Sequence, residues 1–436
     1  MKKILHKVKK LAAAGLAVLL LAAVFTGCGT SGGAAVQETG GSTQSQIDSG
    51  SSADGAVSGG AASAVGALAL DVEFTSGDLD TGYDEGTDTL ITADGGSFTV
   101  AGEGAEGVTV DGGSVTITAQ GTYILSGEIS DGQVVVAADG EKVRLVLNGI
   151  TIRCSDHAPI YLEAADKVFI TLADGTENKL IDGTAYSLGE ADSSVDGALF
   201  SMADLTLNGS GTLTVEGNYK NGIVSKDDLA ISGGTYNVSA VGQGISGKDC
   251  VKIKDGTFNL AAGGDGIQSD NSEDTSLGYV YIEGGTFNIS TAADGIQAQT
   301  TLLINGGTYT INTTGTADSS KGEKAAGGMT IAGGSFQVTS TDDALNTNAS
   351  LTVNAGEFIL ATGDDGMHAD GALVVNGGDI NITECYEGLE GANVTVNDGN
   401  ITLVSENDGF NAAGGPGPPA PLTKRCLQSD SRDKEY

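Results

Sequence analysis

A glycine followed by a short alternating strand recurs through the second half of the chain at a nearly fixed interval. Examples are Gly256-Thr-Phe-Asn-Leu and Gly334-Ser-Phe-Gln-Val. Successive glycines are separated by 23, 22, 29, 22, 27, 22, 22 and 21 residues. A period near 22 residues indicates a solenoid in which each repeat forms one coil, and two coils carry inserts. The glycines are Gly211, Gly234, Gly256, Gly285, Gly307, Gly334, Gly356, Gly378 and Gly399.

The content of each coil distinguishes between the solenoids that have this period. Leucine-rich repeats need several leucines per repeat and a helical return segment. Here each coil holds two short alternating runs, such as Thr235-Tyr-Asn-Val-Ser and Cys250-Val-Lys-Ile-Lys, separated by Gly, Asp and Asn turns. The sequence therefore predicts an all-β fold, a right-handed single-stranded parallel β-helix with coils of about 22 residues.

Four phenylalanines occupy corresponding positions in different coils, namely Phe258, Phe287, Phe336 and Phe358. Every second side chain of a stacked strand enters the interior, and equivalent positions lie above one another. We therefore expect these rings to form one internal ladder. The strict repeats cover residues 205–415, and residues 71–204 have the same Gly-punctuated strand composition without the strict period, which predicts irregular N-terminal coils that cap the solenoid.

The two ends of the chain differ in composition from the solenoid. Met1 to Lys10 contains five lysines, Leu11 to Phe25 is an apolar stretch of 15 residues, and Thr26-Gly27 precede Cys28. Residues 1–28 therefore resemble a bacterial lipoprotein signal peptide in which Cys28 is lipidated, and two acyl chains would give stable anchoring. Residues 29–70, rich in Gly, Ser and Ala, are typical of a flexible tether. The sequence of residues 416–436 predicts a Pro-rich, charged tail, or else a truncated or frameshifted end.

The charge of the chain excludes one class of partner and favours another. The formal net charge is -36, and the four arginines are Arg144, Arg153, Arg425 and Arg432. Nucleic-acid binding requires clustered Lys and Arg, so this partner is not expected. An acidic surface suggests cations as partners. The five widely spaced cysteines predict neither a disulfide framework nor a cysteine zinc site.

Each coil repeats a second motif, an acidic or amide residue followed by Gly (or once Ala) and an apolar residue, as in Asp265-Gly-Ile and Asp365-Gly-Met. Because the coils stack, these residues should form a column along one edge, with further polar residues three to five positions later. One interpretation is that Asp-Gly only forms turns, with the carboxylate accepting from a nearby backbone N–H.

The density of acids favours a second interpretation, a set of calcium sites. Asp342-Asp343 and Asp364-Asp365 double the charge at the same corner, and calcium takes six to eight oxygen ligands with tolerant geometry. We predict calcium ligands at Asp265, Asp270, Asp294, Asp342, Asp343, Asp364, Asp365, Asp370, Glu387, Glu390 and Asp408.

Catalysis by the same acids is the alternative. Gly363-Asp-Asp-Gly-Met-His368 is compatible with the paired carboxylates of an inverting glycosidase, but no arginine lies between residues 201 and 415 to hold an anionic sugar. A calcium-dependent lyase needs an Arg or Lys base, and the seven lysines of this region do not recur at one position. His368 alone is more typical of a polar surface or turn residue. We therefore predict no catalytic residues.

The order of several motifs resembles one bacterial family. Ala158-Pro-Ile, Val168-Phe-Ile-Thr-Leu-Ala-Asp-Gly, Ser225-Lys-Asp-Asp-Leu and Gly264-Asp-Gly-Ile are similar to segments of the carbohydrate-binding β-helix family of clostridial-type surface proteins. The resemblance covers residues 72–415. It implies a fold similar to pectate lyases, bound calcium, and binding of cellulose or acidic sugars. Because the chain has no tryptophan, acidic sugar is easier to reconcile with it than flat cellulose.

Together these observations predict a lipid-anchored protein on the extracellular face of the cell membrane. Its solenoid is expected to bind acidic polysaccharide such as polygalacturonate, with calcium and without catalysis. Two alternatives remain: a calcium-dependent polysaccharide lyase or hydrolase of the same fold, and a structural or adhesive surface protein stabilised by calcium.

Overall fold

The protein forms a parallel β-solenoid of about 13 turns with coils of about 23 residues, as the computed structural model shows. The structure describes residues 70–190, 192–315 and 320–412, and the backbone of 428–429. The predicted parallel β-helix is confirmed. The predicted signal peptide with Cys28, the tether up to residue 69 and most of the tail lie outside the described residues. The described part contains no helix with the length and apolar character needed to cross a bilayer.

The N-terminal coils contain the longest strands and the antiparallel pairs. A four-residue helix, α1 (Ser76–Leu79), precedes the strands, and a 3₁₀ turn spans Ala105–Gly107. The strands are β1 (Thr89–Gly95), β2 (Phe98–Ala101), β3 (Val108–Asp111), β4 (Ser114–Ile117), β5 (Gly121–Ile129), β6 (Gln133–Ala137), β7 (Lys142–Cys154), β8 (Ile160–Ala164), β9 (Lys167–Leu172), β10 (Glu177–Asp182), β11 (Gly197–Ser201) and β12 (Asp204–Gly209). The pairs β1–β2 and β3–β4 are antiparallel, whereas β1 also pairs in parallel with β5.

Most of the remaining strands are shorter and repeat three to a coil, whereas Met367–Val375 and Leu389–Val396 are longer and each contribute to two sheets. They are β13 (Thr212–Gly217), β14 (Asn221–Ser225), β15 (Asp228–Ile231), β16 (Thr235–Ala240), β17 (Ile245–Gly247), β18 (Cys250–Ile253), β19 (Thr257–Ala262), β20 (Ile267–Ser269), β21 (Tyr279–Ile282), β22 (Thr286–Thr291), β23 (Ile296–Ala298), β24 (Leu302–Ile304), β25 (Thr308–Thr313), β26 (Glu323–Ala325), β27 (Met329–Ile331), β28 (Ser335–Ser340), β29 (Leu345–Thr347), β30 (Leu351–Val353), β31 (Glu357–Thr362), β32 (Met367–Val375), β33 (Asp379–Glu384), β34 (Leu389–Val396), β35 (Asn400–Leu403), β36 (Phe410–Ala412) and β37 (Gln428–Ser429). Gln428 and Ser429 pair in parallel with Thr402 and Leu403, so part of the segment predicted as a tail extends the stack.

Three parallel sheets form the sides of the solenoid. Sheet 1 stacks β9, β12, β15, β18, β21, β24, β27, β30 and the C-terminal parts of β32 and β34. Sheet 2 stacks β10, β13, β16, β19, β22, β25, β28, β31, β33, β35 and β37. Sheet 3 stacks β4, β6, β8, β11, β14, β17, β20, β23, β26, β29, the N-terminal parts of β32 and β34, and β36.

The interior is one continuous apolar core, because the strands alternate inward apolar and outward polar residues. The predicted ladder of Phe258, Phe287, Phe336 and Phe358 is confirmed. It also contains Tyr236 and Tyr309, so that six rings stack along sheet 2 with centroid distances of 4.5 to 5.3 Å. Such stacked pairs contribute about 0.5–1.5 kcal/mol beyond their area burial.

The glycine before each sheet 2 strand allows close approach of successive coils. Gly307 has φ of 115°, a conformation that L side chains rarely adopt. A Cβ at Gly307 would lie 3.1 Å from the carbonyl oxygen of Gly285 in the previous coil. The recurring glycine therefore reflects a backbone requirement at the corner that leads into sheet 2.

An N-terminal segment, residues 70–80, crosses the outer side of sheet 1, and we call it the strap. Leu70, Val72 and Phe74 pack against a buried cluster of Cys250, Tyr279 and Tyr281. The Tyr279 hydroxyl donates to the carbonyl of Asp71 (2.6 Å), and Lys252 Nζ donates to that of Glu73 (3.1 Å). The strap thus runs from the middle of the solenoid towards its N-terminal coils.

Asp78 fixes the other half of the strap. It is 1% exposed, and its Oδ1 lies 2.6 Å from Lys167 Nζ and accepts from the Thr206 hydroxyl at 2.6 Å. Its Oδ2 accepts from the backbone N–H of Thr75 at 2.8 Å. Burial raises the pKa of Asp78, but the bonds from Lys167, Thr206 and Thr75 outweigh this effect and lower it to about 2. The carboxylate therefore joins α1 to two coils.

We expect Asp78→Asn to destabilise the fold by about 2 kcal/mol at pH 7, because a pKa below the unfolded value of 3.8 favours the native state. This contribution is complete above pH 3.8 and is lost as the pH falls through 2. Urea unfolding at pH 7 measures the loss. Asp111→Asn, at an exposed position of β3, is the matched control. Equal midpoints for the two variants would contradict the assignment.

One carboxyl side chain interrupts the apolar column inside sheet 3. Glu323 lies in register between Ile296 and Leu345, both of which are inward and buried. Glu323 itself is 0% exposed, and neither carboxyl oxygen has a hydrogen-bond partner among the described residues. Burial raises the pKa of Glu323 to about 8. The side chain is therefore neutral at pH 7. Burial of its carboxyl group without a hydrogen bond lowers the stability of the core.

We expect Glu323→Leu to stabilise the protein, and to do so more strongly at pH 8.5 than at pH 5. Between pH 4.5 and pH 8 the native state binds more protons than the unfolded state, so the free energy of unfolding falls as the pH rises, in total by about 5 kcal/mol. Urea unfolding at both pH values tests this. Ile296→Leu, in the same column, should leave the pH dependence unchanged, and an unchanged dependence in Glu323→Leu would refute the expectation.

Candidate functional site

The acidic column lies at the corner where sheet 2 passes into sheet 3. Asp343, Asp365 and Glu387 each stand two residues before a sheet 3 strand segment that begins at Leu345, Met367 or Leu389. The second residue of each segment points outward, because the residues on both sides of it face the core. The outward residue therefore follows its acid by three positions, and the pairs are Asp343 with Asn346, Asp365 with His368, and Glu387 with Glu390.

Several acids of the column bind the backbone of the next coil. Asp265 Oδ1 accepts from the N–H of Asp294 (3.0 Å), and Asp294 Oδ1 accepts from that of Lys321 (2.9 Å). Asp343 Oδ1 accepts from the N–H of Asp365 (3.0 Å). One oxygen of each of these carboxylates therefore binds the backbone, as the turn-forming interpretation predicts. The second oxygen remains available for another contact.

The later coils of the column and their outward residues line an open groove of about 550 Å³. Six of its lining residues are acids and two can carry positive charge, which leaves an excess of negative charge. The lining residues are Lys321, Asp342, Asp343, Asn346, Asp364, Asp365, His368, Tyr386, Glu387 and Glu390.

One half of the groove contains three carboxylates around a lysine. Oxygens of Asp342, Asp343 and Asp364 lie within 4.8 Å of one another. Lys321 Nζ is 2.5 Å from Asp342 Oδ2 and 3.2 Å from Asp343 Oδ2. Burial and then the neighbouring carboxylates raise the pKa of Asp364. Burial opposes the charge of Lys321, but the bond to Asp342 and the charge of Asp343 raise the lysine pKa. The cluster is oxygen-rich and fits a hard cation.

The other half contains His368 between carboxylates. His368 Nδ1 lies 2.9 Å from Asp365 Oδ2 and 3.1 Å from Glu390 Oε2, and Nε2 lies 3.2 Å from Asp370 Oδ1. The bond to Asp365 is the main reason that the pKa of His368 rises to about 9. A hydrogen bond with Asp365, followed by burial, raises the pKa of Glu390 to about 7. His368 therefore belongs to a network of carboxylates, and it lies in β32 with its side chain partly exposed.

The predicted calcium ligands divide into two groups. The groove brings together Asp342, Asp343, Asp364, Asp365, Glu387 and Glu390, and Asp370 reaches the groove through His368. Asp265 and Asp294 lie in earlier coils of the column, where Asp294 pairs with Lys324 at 3.0 Å. Asp270 and Asp408 are exposed and belong to none of the carboxylate clusters found among the described residues.

Sequence reasoning missed three residues of the groove: Lys321, His368 and Tyr386. Lys321 takes the column position between Asp294 and Asp343, as the backbone bond from its N–H to Asp294 shows. The insert before it hid this equivalence, although Lys321-Gly322 matches Asp294-Gly295 in form. Tyr386 is 48% exposed beside the acids and directly precedes Glu387.

A second acidic cluster lies at the turn between sheets 3 and 1. Asp227, Asp228 and Asp249 bring carboxylate oxygens within 4.8 Å of one another. Burial and then the neighbouring charges raise the pKa of Asp227 to about 7. Lys226 directly precedes Asp227 in sequence, but its Nζ lies 3.2 Å from Asp196 in the preceding coil. The Lys226 ammonium is therefore paired with Asp196 and not with this cluster.

Comparisons with known proteins match parts of the solenoid. The family model described as carbohydrate-binding domain-containing protein matches residues 111–366. A carbohydrate-binding domain-containing protein of Acetivibrio thermocellus is 41% identical over 122 residues, which are 28% of this chain. The match spans 43% of that relative's length. A solved structure titled polysaccharide lyase-like protein from C. thermocellum, a gadolinium derivative, is 28% identical, with a TM-score of 0.46, covering 72% of this chain and 100% of that one.

The two described histidines should titrate on opposite sides of the ordinary value of 6.5. The three carboxylates around His368 raise its pKa to about 9, whereas burial lowers the pKa of His157. Proton NMR of the imidazole C2 resonances over pH 5 to 10 measures both. Asp365→Asn should lower the pKa of His368 and leave His157 unchanged. A His368 value near 6.5 in the unsubstituted protein would refute the network.

Proposed function

Because the chain belongs to the family of carbohydrate-binding domain-containing proteins, we propose that its solenoid binds an acidic polysaccharide through calcium held in the acidic groove, without cleaving it. The observation that carries the proposal is the groove itself, an open depression at a regular corner in which six acids face two basic residues. The negative charge of the groove does not attract a neutral sugar. A polyanion is repelled by it unless cations bind between the two.

Calcium is proposed to occupy the cluster of Asp342, Asp343 and Asp364. Three carboxylates within 4.8 Å supply up to six oxygens, and an open groove leaves room for water and for sugar carboxylates to complete the shell. A uronate carboxylate would then share the ion with the protein. Polygalacturonate offers such a carboxylate on every sugar, so it is the ligand that we favour.

Lys321 is proposed to compete with calcium for the same oxygens. Its ammonium lies 2.5 Å from Asp342 Oδ2 and 3.2 Å from Asp343 Oδ2, and it is only 12% exposed. Calcium must displace this contact or bind on its Asp364 side. Either way, the ammonium lowers the calcium affinity, so that binding would depend on the ligand completing the coordination shell.

Tyr386 is proposed to contact a sugar ring. It is among the few large apolar side chains that the described residues expose, and it lines the same groove as the acids. Aromatic rings with one polar end suit surfaces that are partly apolar and partly wet. A pyranose ring could stack on its face while the sugar carboxylate meets calcium.

The arrangement favours binding over elimination. A lyase requires a neutral base to remove a proton from the substrate. The lysine nearest to the acids, Lys321, is held by Asp342 and Asp343, which raise its pKa and keep it charged. Lys324 is likewise paired with Asp294 at 3.0 Å. A lyase or hydrolase of this fold is therefore our second hypothesis, and a calcium-stabilised adhesive protein is the third.

Display at the cell surface completes the proposal. The export signal in residues 1–28, lipidation at Cys28 and the tether in residues 29–70 would hold the solenoid on the extracellular face of the membrane. Labelling with a radioactive fatty acid and its loss in Cys28→Ser would test the anchor.

The test of the proposed function is retention of the full chain on polygalacturonate, first with calcium and then with a chelator, while unsaturated products and reducing ends are recorded. We expect retention only with calcium, and no product. The double variant Asp342→Asn/Asp364→Asn should weaken retention by about tenfold or more, which corresponds to the loss of about 1.4 kcal/mol. Lys321→Met should strengthen calcium binding.

The matched control is Glu357→Gln/Asp379→Asn, which removes the same charge from paired, exposed positions of sheet 2. Its retention should equal that of the unsubstituted chain. Product formation would make the protein an enzyme. A calcium-dependent rise in melting temperature without retention would favour the adhesive protein. If retention, product and this rise in melting temperature are all absent, all three hypotheses are excluded.

A further inference from the structure

In two successive coils, the acid of the column pairs with the side chain three positions later. Asn346 Nδ2 donates to Asp343 Oδ2 at 2.6 Å, and His368 Nδ1 lies 2.9 Å from Asp365 Oδ2. In the next coil, the residue three positions after the column acid Glu387 is a second acid, Glu390, which cannot donate a hydrogen bond when it is ionised. Glu390 turns towards the previous coil, where its Oε2 lies 3.1 Å from His368 Nδ1.

This break leaves one ring nitrogen facing two carboxylates. Nδ1 of an imidazole carries at most one hydrogen and can make one well-aligned bond. It faces Asp365 Oδ2 at 2.9 Å and Glu390 Oε2 at 3.1 Å. A cation at the centre of the three atoms would contact all of them at once, provided that Nδ1 is unprotonated. We propose that Asp365, His368 and Glu390 form a binding site for a divalent transition metal of the zinc class.

The identity of the three ligands indicates a transition metal. His368 Nδ1 lies 2.9 Å from Asp365 Oδ2 and 3.1 Å from Glu390 Oε2, so one imidazole nitrogen and two carboxylates form a mixed N/O set of the kind that zinc binds. Imidazole nitrogen is also a preferred ligand of zinc and related metals, whereas calcium selects oxygen. This site thus differs in chemistry from the cluster of Asp342, Asp343 and Asp364.

Neighbouring side chains orient the three ligands. His368 Nε2 lies 3.2 Å from Asp370 Oδ1, which is the carboxylate–histidine arrangement that commonly fixes a metal-bound imidazole. Asn411 Nδ2 donates to Glu390 Oε1 at 3.1 Å, which leaves Oε2 directed at His368. Asp365 is 4% exposed, while His368 and Glu390 remain partly open to the groove. Water or a ligand group could therefore complete the coordination.

This inference is independent of glycan binding and of calcium. The test is titration of the full chain with zinc in a calorimeter, in the presence of saturating calcium. We expect one zinc site that His368→Gln weakens by about 100-fold and that Asp370→Asn weakens by about tenfold, since Asp370 is a positioning residue. Calcium binding should be unchanged in His368→Gln. Glu384→Gln removes one exposed charge from nearby β33 and should leave zinc affinity unchanged.

A second readout keeps the test decisive if His368→Gln does not fold. X-ray absorption of the zinc-loaded protein should show one imidazole among oxygen ligands, and Glu390→Gln should weaken zinc by about 100-fold. The proposal is overturned if His368→Gln and Glu390→Gln bind zinc as the unsubstituted chain does, if no imidazole is found, or if excess calcium displaces zinc completely.

Discussion

Parallel pairing of each strand with its equivalent in the next coil is the interaction on which the rest of the structure depends. The register is maintained from Glu177 to Leu403 along sheet 2, with one shift next to Leu360 and Ala361. A one-residue slip would turn every inward side chain outward. The stacked rings and the recurring glycine at the corner both oppose such a slip, because each ring packs on the ring of the adjacent coil and each glycine lies close to the glycine of the previous coil.

The same register concentrates charge. Residues that form turns recur at one corner, so any acid used in a turn is placed beside the acids of neighbouring coils. The backbone N–H bonds accepted by Asp265, Asp294 and Asp343 offset part of the repulsion. Two acids of the groove, Asp342 and Glu390, add negative charge beyond what these backbone bonds offset. Lys321 lies beside Asp342, and His368 lies beside Glu390. The groove is therefore a consequence of repetition combined with a few departures from it.

The extent to which sequence predicts this protein follows from the same distinction. The spacing of glycines and the alternation around Phe258, Phe287, Phe336 and Phe358 predict the coil, its sheets and its core, because these depend on repetition. The sequence also located the acids of the groove. It missed Lys321 because an insert displaced the period, and it missed the surroundings of His368 because contacts between coils depend on which side chain of a three-residue strand faces outward. The strap has no periodicity, so its contacts with Tyr279 and Lys252 could not be predicted.

The strap determines how tension applied through the N-terminal side would reach the solenoid. The chain joins the domain beside sheet 1 near Tyr279, far from the first coil, and then follows the surface back to Arg144. A pull at Leu70 would load the bond to Tyr279 first, next the bond to Lys252, and only later the buried pair of Asp78 and Lys167. Contacts that open one after another yield at low force, as in peeling. Mechanical work would therefore be dissipated along the strap, and the coils that form the groove would keep their spacing while the protein is under load.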